Sequence, residues 1–184
     1  MDELHIDDLA SWCAVSFARE YSNPLRYAKV LYVNDKYVAD LTIPAEITTV
    51  SAGAFEGCDA LKSLKFEGEG VVVESYAFYE CEGLESIDLS GVTEVGDWAF
   101  YGCIALADAK LESVEKIGND AFRACTSLAT ASLSSATTSV GEDIFASCPK
   151  LLTIVFDGSE EEWSSLEIQL PEDVTINYKT NILD

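Results

Sequence analysis

Val50-Ser51-Ala52-Gly53-Ala54-Phe55-Glu56-Gly57-Cys58-Asp59-Ala60-Leu61 decides the fold, because the chain repeats its pattern four more times. Cysteines stand at 58, 81, 103, 125 and 148, spaced 23, 22, 22 and 23 residues apart. A phenylalanine precedes each by three: Phe55, Phe78, Phe100, Phe122 and Phe145. Leu61, Leu84, Leu106, Leu128 and Leu151 follow each cysteine by three, with apolar residues again six and eight places on. Five residues before each phenylalanine stands a β-branched one: Val50, Val73, Val95, Ile117 and Val140. An earlier turn without the cysteine survives as Val38, Leu41 and Ile43.

A unit of 22 or 23 residues cannot bury its own apolar face, so neighbours must stack and share one core. The recurring residues are expected to point inward as ladders and the varying ones to face solvent. The L-x2-L-x-L stretch suits one short strand and the Val/Ile stretch a second. The A-F-x2-C segment suits a helical or 3₁₀ turn. Gly96, Gly118 and Gly141 follow the β-branched residue, where a turn with positive φ favours glycine.

At 184 residues and about 20 kDa the chain is one domain's worth of sequence. Its 33 acids against 11 lysines and arginines give a net charge of −22, which argues against nucleic acid and anionic membranes as partners. No apolar run approaches the roughly 20 residues of a membrane span. The acidic start, Met1-Asp2-Glu3, lacks the order of a signal peptide.

The motifs above, with Leu41-Thr42-Ile43-Pro44, resemble the BspA-type leucine-rich repeats of bacterial and protist surface proteins. The resemblance covers roughly residues 31 to 156. It implies a right-handed α/β repeat solenoid and a non-catalytic role in adhesion or protein binding, at the cell surface or after secretion. It also leaves room for a structural spacer within a longer surface protein.

Three regions follow: an N-terminal cap or junction over residues 1–30, the solenoid over 31–158, and a C-terminal cap over 159–184. Ser159-Glu160-Glu161-Glu162 has the form of a helix capping box. Trp163, Leu166 and Ile168 repeat the spacing of Trp12, Val15 and Phe17, each set preceded by acids, so both ends read as copies of one module. Ser22-Asn23-Pro24-Leu25 reads as the turn into a first strand, Val30-Leu31-Tyr32-Val33, and Asn34-Asp35-Lys36 as a hairpin turn.

The five aligned cysteines are expected as buried free thiols. Adjacent parallel strands lie about 4.8 Å apart, wider than the roughly 3.8 Å between Cβ atoms in a disulfide. Cys13 lies outside this ladder. A zinc site would need a tetrahedral cluster rather than a row. Catalysis has one histidine to draw on, His5, outside the repeats. Seven acids between Asp157 and Asp173 suit calcium chemically but lack the D-x-D-x-D-G spacing, so a solvated acidic face is the plainer reading. No cofactor or metal is expected, and a monomer is.

That leaves surfaces. The outward strand positions form a ribbon of mixed charge, from which Lys62, Lys65, Glu85, Asp88, Asp108, Lys110, Thr130 and Ser132 are the candidate contacts for a protein or peptide. Tyr76 and Trp98, one unit apart just before the Ala-Phe pair, are a second candidate patch.

Overall fold

A computed structural model describes residues 3–17 and 22–179. Met1 and Asp2 of the acidic start, part of the expected N-terminal cap and the end of the C-terminal one lie outside them.

The chain opens with β1 (Leu4–Ile6), α1 (Leu9–Cys13), α2 (Leu25–Ala28), β2 (Leu31–Val33) and β3 (Lys36–Tyr37). β1 pairs in parallel with β2, and β2 turns back on β3 through Asn34 and Asp35, both at left-handed φ. Asn and Asp tolerate that conformation, so the hairpin expected at Asn34-Asp35-Lys36 forms. Asn23-Pro24 leads not into a simple turn but into α2, and buried Asn23 ties it down by donating to Gly53 O and Ala54 O (2.6 and 2.9 Å) and accepting from Leu25 N.

The stacked coils follow. Each contributes a strand to a long sheet and a strand to a shorter one: β4 (Asp40–Ile43) and β5 (Thr49–Val50), β6 (Ser63–Phe66) and β7 (Val71–Val73), β8 (Ser86–Asp88) and β9 (Val92–Val95), β10 (Asp108–Leu111) and β11 (Lys116–Ile117), β12 (Thr130–Ser134) and β13 (Ser139–Val140). β14 (Thr153–Asp157), α3 (Glu160–Ser165) and β15 (Thr175–Tyr178) are the last elements among the described residues. The seven-stranded sheet runs β15-β14-β12-β10-β8-β6-β4 and the five-stranded one β13-β11-β9-β7-β5, every pairing parallel. The result is a β-solenoid of about seven turns.

The recurring residues are the core. Phe55, Phe78, Phe100, Phe122 and Phe145 are fully buried, as are the leucines three residues after each cysteine. Successive phenylalanine rings stack along the axis at 5.1, 5.2 and 5.2 Å, and the last pair, Phe122–Phe145, tilts at 5.9 Å. Alternate strand residues such as Leu64 and Phe66 face inward while Lys65 faces out, as a pleated strand requires. All six cysteines are free and buried.

Two local expectations need correction. Ala-Phe-x2-Cys is not a helical or 3₁₀ segment. It is a pair of overlapping four-residue turns, closed for example by Tyr101 N to Trp98 O and Cys103 N to Phe100 O, with a left-handed residue in each. Those left-handed residues, Tyr76 and Glu80 in one coil and Trp98 and Gly102 in the next, stop a helix from propagating. The glycines Gly96, Gly118 and Gly141 do not have positive φ; the left-handed position lies two residues further on. They are glycine because coils approach closely there: a Cβ on Gly96 would lie 2.5 Å from Ser75 N.

The two ends share local geometry. In each, a helix begins three residues after a strand, its N-cap stands four residues before a tryptophan, and the tryptophan N–H donates to the N-cap carbonyl (Trp12 to Asp8, 3.1 Å; Trp163 to Ser159, 3.0 Å). The side chains differ: Leu166 packs against the core while Val15 is exposed.

Candidate functional site

The parallel register lines up the outward strand positions. One row reads Thr42, Lys65, Asp88, Lys110, Ser132, Val155 and Asn177; the next reads Asp40, Ser63, Ser86, Asp108, Thr130, Thr153 and Thr175. The structure thus brings Lys65, Asp88, Asp108, Lys110, Thr130 and Ser132 onto one ribbon, with Lys62 and Glu85 at its margin.

Much of that ribbon is internally paired. Lys62 Nζ meets Glu85 Oε1 at 3.1 Å, Ser63 donates to Asp40, Thr130 donates to Asp108, and Ser132 donates to Glu112 at 2.7 Å. Among the described residues, Lys65, Asp88 and Lys110 form no ion pair. They present charges of alternating sign on rungs about 4.8 Å apart. Exposed and outside any such pair, these three charges are open to a partner's.

Tyr76 and Trp98 occupy a different stretch of each coil, the turn after the shorter strand, and do not join the ribbon. They stack on each other at 5.1 Å with their planes 14° apart. The sequence reading missed their neighbours. Tyr79 packs against Tyr76 at 5.6 Å and stacks on Tyr101 at 5.0 Å. The four rings make a block two coils wide. Tyr79 and Tyr101 follow the repeated phenylalanine directly, a column that reads Glu56, Tyr79, Tyr101, Arg123, Ala146. Such variation was the available sign of a solvent-facing position. Burial first, then Glu80 beside it, pushes the Tyr79 phenol up to about 12.

A shallow groove of about 430 Å³ crosses the five-stranded sheet past Val72, Glu94 and Lys116, where Lys116 is held by Glu94 at 2.5 Å.

The thiols are placed for packing. Burial drives the Cys58 thiol up to about 12 and Cys148 up to about 11, and holds Cys81, Cys103 and Cys125 well above the usual range. A thiol so disfavoured as thiolate is a poor nucleophile and a poor metal ligand. His5 stacks on Tyr32 at 4.5 Å and bonds Asp35 and Glu3, which raises its pKa; no thiol stands with it. Among the described residues, no three His, Cys, Asp or Glu side chains converge as a metal site. Three acids of the 157–173 segment, Glu160, Glu161 and Glu162, occupy the first turn of α3.

Parallel coils, stacked phenylalanines and buried thiols define a leucine-rich repeat solenoid. The chain belongs to the BspA type leucine rich repeat family, whose model matches six copies over residues 29–152. A leucine rich cell surface protein from Faecalibacterium prausnitzii is similar in structure, at 30% identity and a TM-score of 0.65, over 70% of this chain and 34% of that one. A leucine-rich repeat protein from Bacteroides ovatus (22% identity, TM-score 0.62, covering 78% and 43%) and the pneumococcal vaccine antigen PcpA (21%, 0.66, covering 82% and 38%) share the fold. The chain therefore spans less than half of each of these relatives. A comparison with curated proteins finds no match.

Proposed function

We propose that this chain is a non-catalytic, protein-binding segment of a larger leucine-rich repeat protein of the cell surface or of a secreted form. The carrying observation is the seven-stranded ribbon, on which Lys65, Asp88 and Lys110 stand in register and form no ion pair among the described residues. Ordered strand faces of this kind are the usual contact surfaces of solenoids. The F. prausnitzii relative is described as a cell surface protein, which supports the same location here. The buried thiols and the lone His5 support a role without catalysis.

The ends serve as caps or junctions. Trp163, Leu166 and Ile176 pack against the last coil and Trp12 against the first, which shields the solenoid core. With its ends covered, and the right-handed stack implied by the family, the segment works as a monomer that needs no cofactor. A spacer without a ligand is the second reading, favoured by the internally paired half of the ribbon.

The test is capture of purified extracellular-matrix proteins by the immobilised chain, repeated with the double variant Lys65→Glu/Lys110→Glu. Selective binding that the double variant loses, with melting unchanged, supports adhesion through the ribbon. No binding at any salt concentration supports the spacer.

A further inference from the structure

In every coil the residue five before the cysteine is left-handed: Gly53, Tyr76, Trp98, Asp120 and Asp143, with φ of 67°, 62°, 54°, 55° and 56°. Glycine and aspartate adopt this conformation readily; a bulky aromatic does so only against backbone strain. Tyr76 and Trp98 therefore hold rings where the fold itself accepts a small or short polar residue. Nor does the core call for them. Ala77, Phe78, Ala99 and Phe100 beneath are fully buried, whereas Tyr76 is 40% exposed. Their packing is on one another, at 5.1 Å, rather than on the core, and strain held to keep a surface stack points to a contact.

The rings also leave donors unspent. Among the described residues, neither the Trp98 indole N–H nor the Tyr101 hydroxyl makes a hydrogen bond. Around the block the charge left over is negative: of the acids on the same turns, Glu80 and Asp120 are paired with arginines, and Glu74 and Asp97 form no ion pair among the described residues. The two arginines at its margins are committed, Arg26 to Glu56 and Glu80 (2.6 and 3.2 Å) and Arg123 to Asp120 and Asp143 (2.9 and 3.7 Å).

We propose that the block of Tyr76, Tyr79, Trp98 and Tyr101 is a docking site for a segment of a partner protein that carries lysine or arginine. The methylene stem of such a side chain lies along the rings while its head reaches the carboxylates of Glu74 and Asp97. Tyrosine and tryptophan are the residue types that carry most binding energy at protein contacts. The site rests on the protein-binding reading above but is separate from the ribbon.

The experiment is an NMR titration of the ¹⁵N-labelled chain, at physiological salt, with a capped peptide of arginines and lysines spaced by glycine. A peptide of equal length with glutamate in their place is the control. The Trp98 indole resonance and the amides of 76–80 and 98–102 shift first with the basic peptide and stay still with the acidic one. The double variant Tyr76→Asn/Trp98→Asp uses residue types suited to this backbone, so it keeps the core spectrum and melts no lower. It also adds a negative charge, so non-specific attraction would rise; affinity nevertheless falls at least 10-fold. Shifts spread over α3 and the rest of the acidic surface, equal affinity in the variant, or no shift at all overturn the proposal. A matrix protein captured through the ribbon and indifferent to Tyr76→Asn/Trp98→Asp sinks this site alone. Basic-peptide binding here with no matrix protein captured leaves the block standing and removes the ribbon.

Discussion

The Cys103 thiol lies 3.3 Å from the carbonyl oxygen of Phe78, one coil back. The same contact recurs from Cys81 to Phe55 (3.1 Å), Cys125 to Phe100 (3.2 Å) and Cys148 to Phe122 (3.2 Å). Each phenylalanine in turn donates its own N–H forward, as Phe78 does to Ala99 O at 2.8 Å. Cysteine suits the slot because it is small, apolar and carries one weak donor for a buried carbonyl. Alanine would leave that carbonyl with less and the space unfilled.

The thiols set an alkaline limit. Their folded pKa values are raised by burial, Cys58 to about 12, from an ordinary thiol value of about 9. The native state thus keeps protons that the unfolded chain releases above pH 9, so stability is intact below that pH and declines as pH rises toward 12. Denaturant melts at pH 8 and pH 10 check this, and the pH 10 midpoint is expected to be lower. At pH 8 a thiol reagent is expected to find six groups in denaturant and almost none in the native protein.

Phe100→Ala removes the central ring of the stack, between Phe78 and Phe122. A buried aromatic truncated to alanine loses about 3–5 kcal/mol through lost burial and the cavity left behind. Urea unfolding should report a loss in that range; a variant as stable as the wild type contradicts the stack.

Gly96→Ala separates two reasons for a glycine. Its φ is not positive, so alanine is allowed by backbone conformation, but the new Cβ meets Ser75 N at 2.5 Å. Overpacking of this kind destabilises by about 1–3 kcal/mol. A stabilised variant, as expected when glycine merely loosens the unfolded chain, would show that the coils stand further apart.

Ser159→Ala tests the C-terminal helix. Ser159 accepts from Glu162 N at 3.2 Å, and the Glu162 carboxylate accepts from Ser159 N at 2.7 Å. Loss of an N-cap costs about 0.5–2 kcal/mol. Hydrogen exchange should speed up in 160–166 and stay unchanged in the central coils. Those bonds also hold Glu162 below its usual pKa, so their contribution is present at neutral pH and lost as pH falls through the lowered value.

How much of this was legible in the sequence follows from what must recur. Phe, Cys and Leu recur because each faces the same residue in the coils before and after, so burial in register enforces identity. The ribbon was legible by the alternation of a pleated strand. Gly96, Gly118 and Gly141 were misread because a sequence records the need for a small residue but not whether φ or a close approach imposes it. The turn at Ala-Phe-x2-Cys was misread because local propensity does not reveal that Tyr76 and Glu80 turn left-handed. Tyr79 and Tyr101 were overlooked because they change from coil to coil, as contact residues do. The echo between Trp12 and Trp163 was visible in spacing alone, since the cap-to-tryptophan bond depends on the backbone.

The stacking order of the coils is tested most directly by ring-to-ring proton NOEs in protein labelled on phenylalanine. With ring centroids 5.1–5.2 Å apart, cross-peaks should link Phe55 to Phe78, Phe78 to Phe100 and Phe100 to Phe122, and none should link Phe55 to Phe100. Missing sequential peaks, or peaks that skip a coil, would contradict a single-file stack.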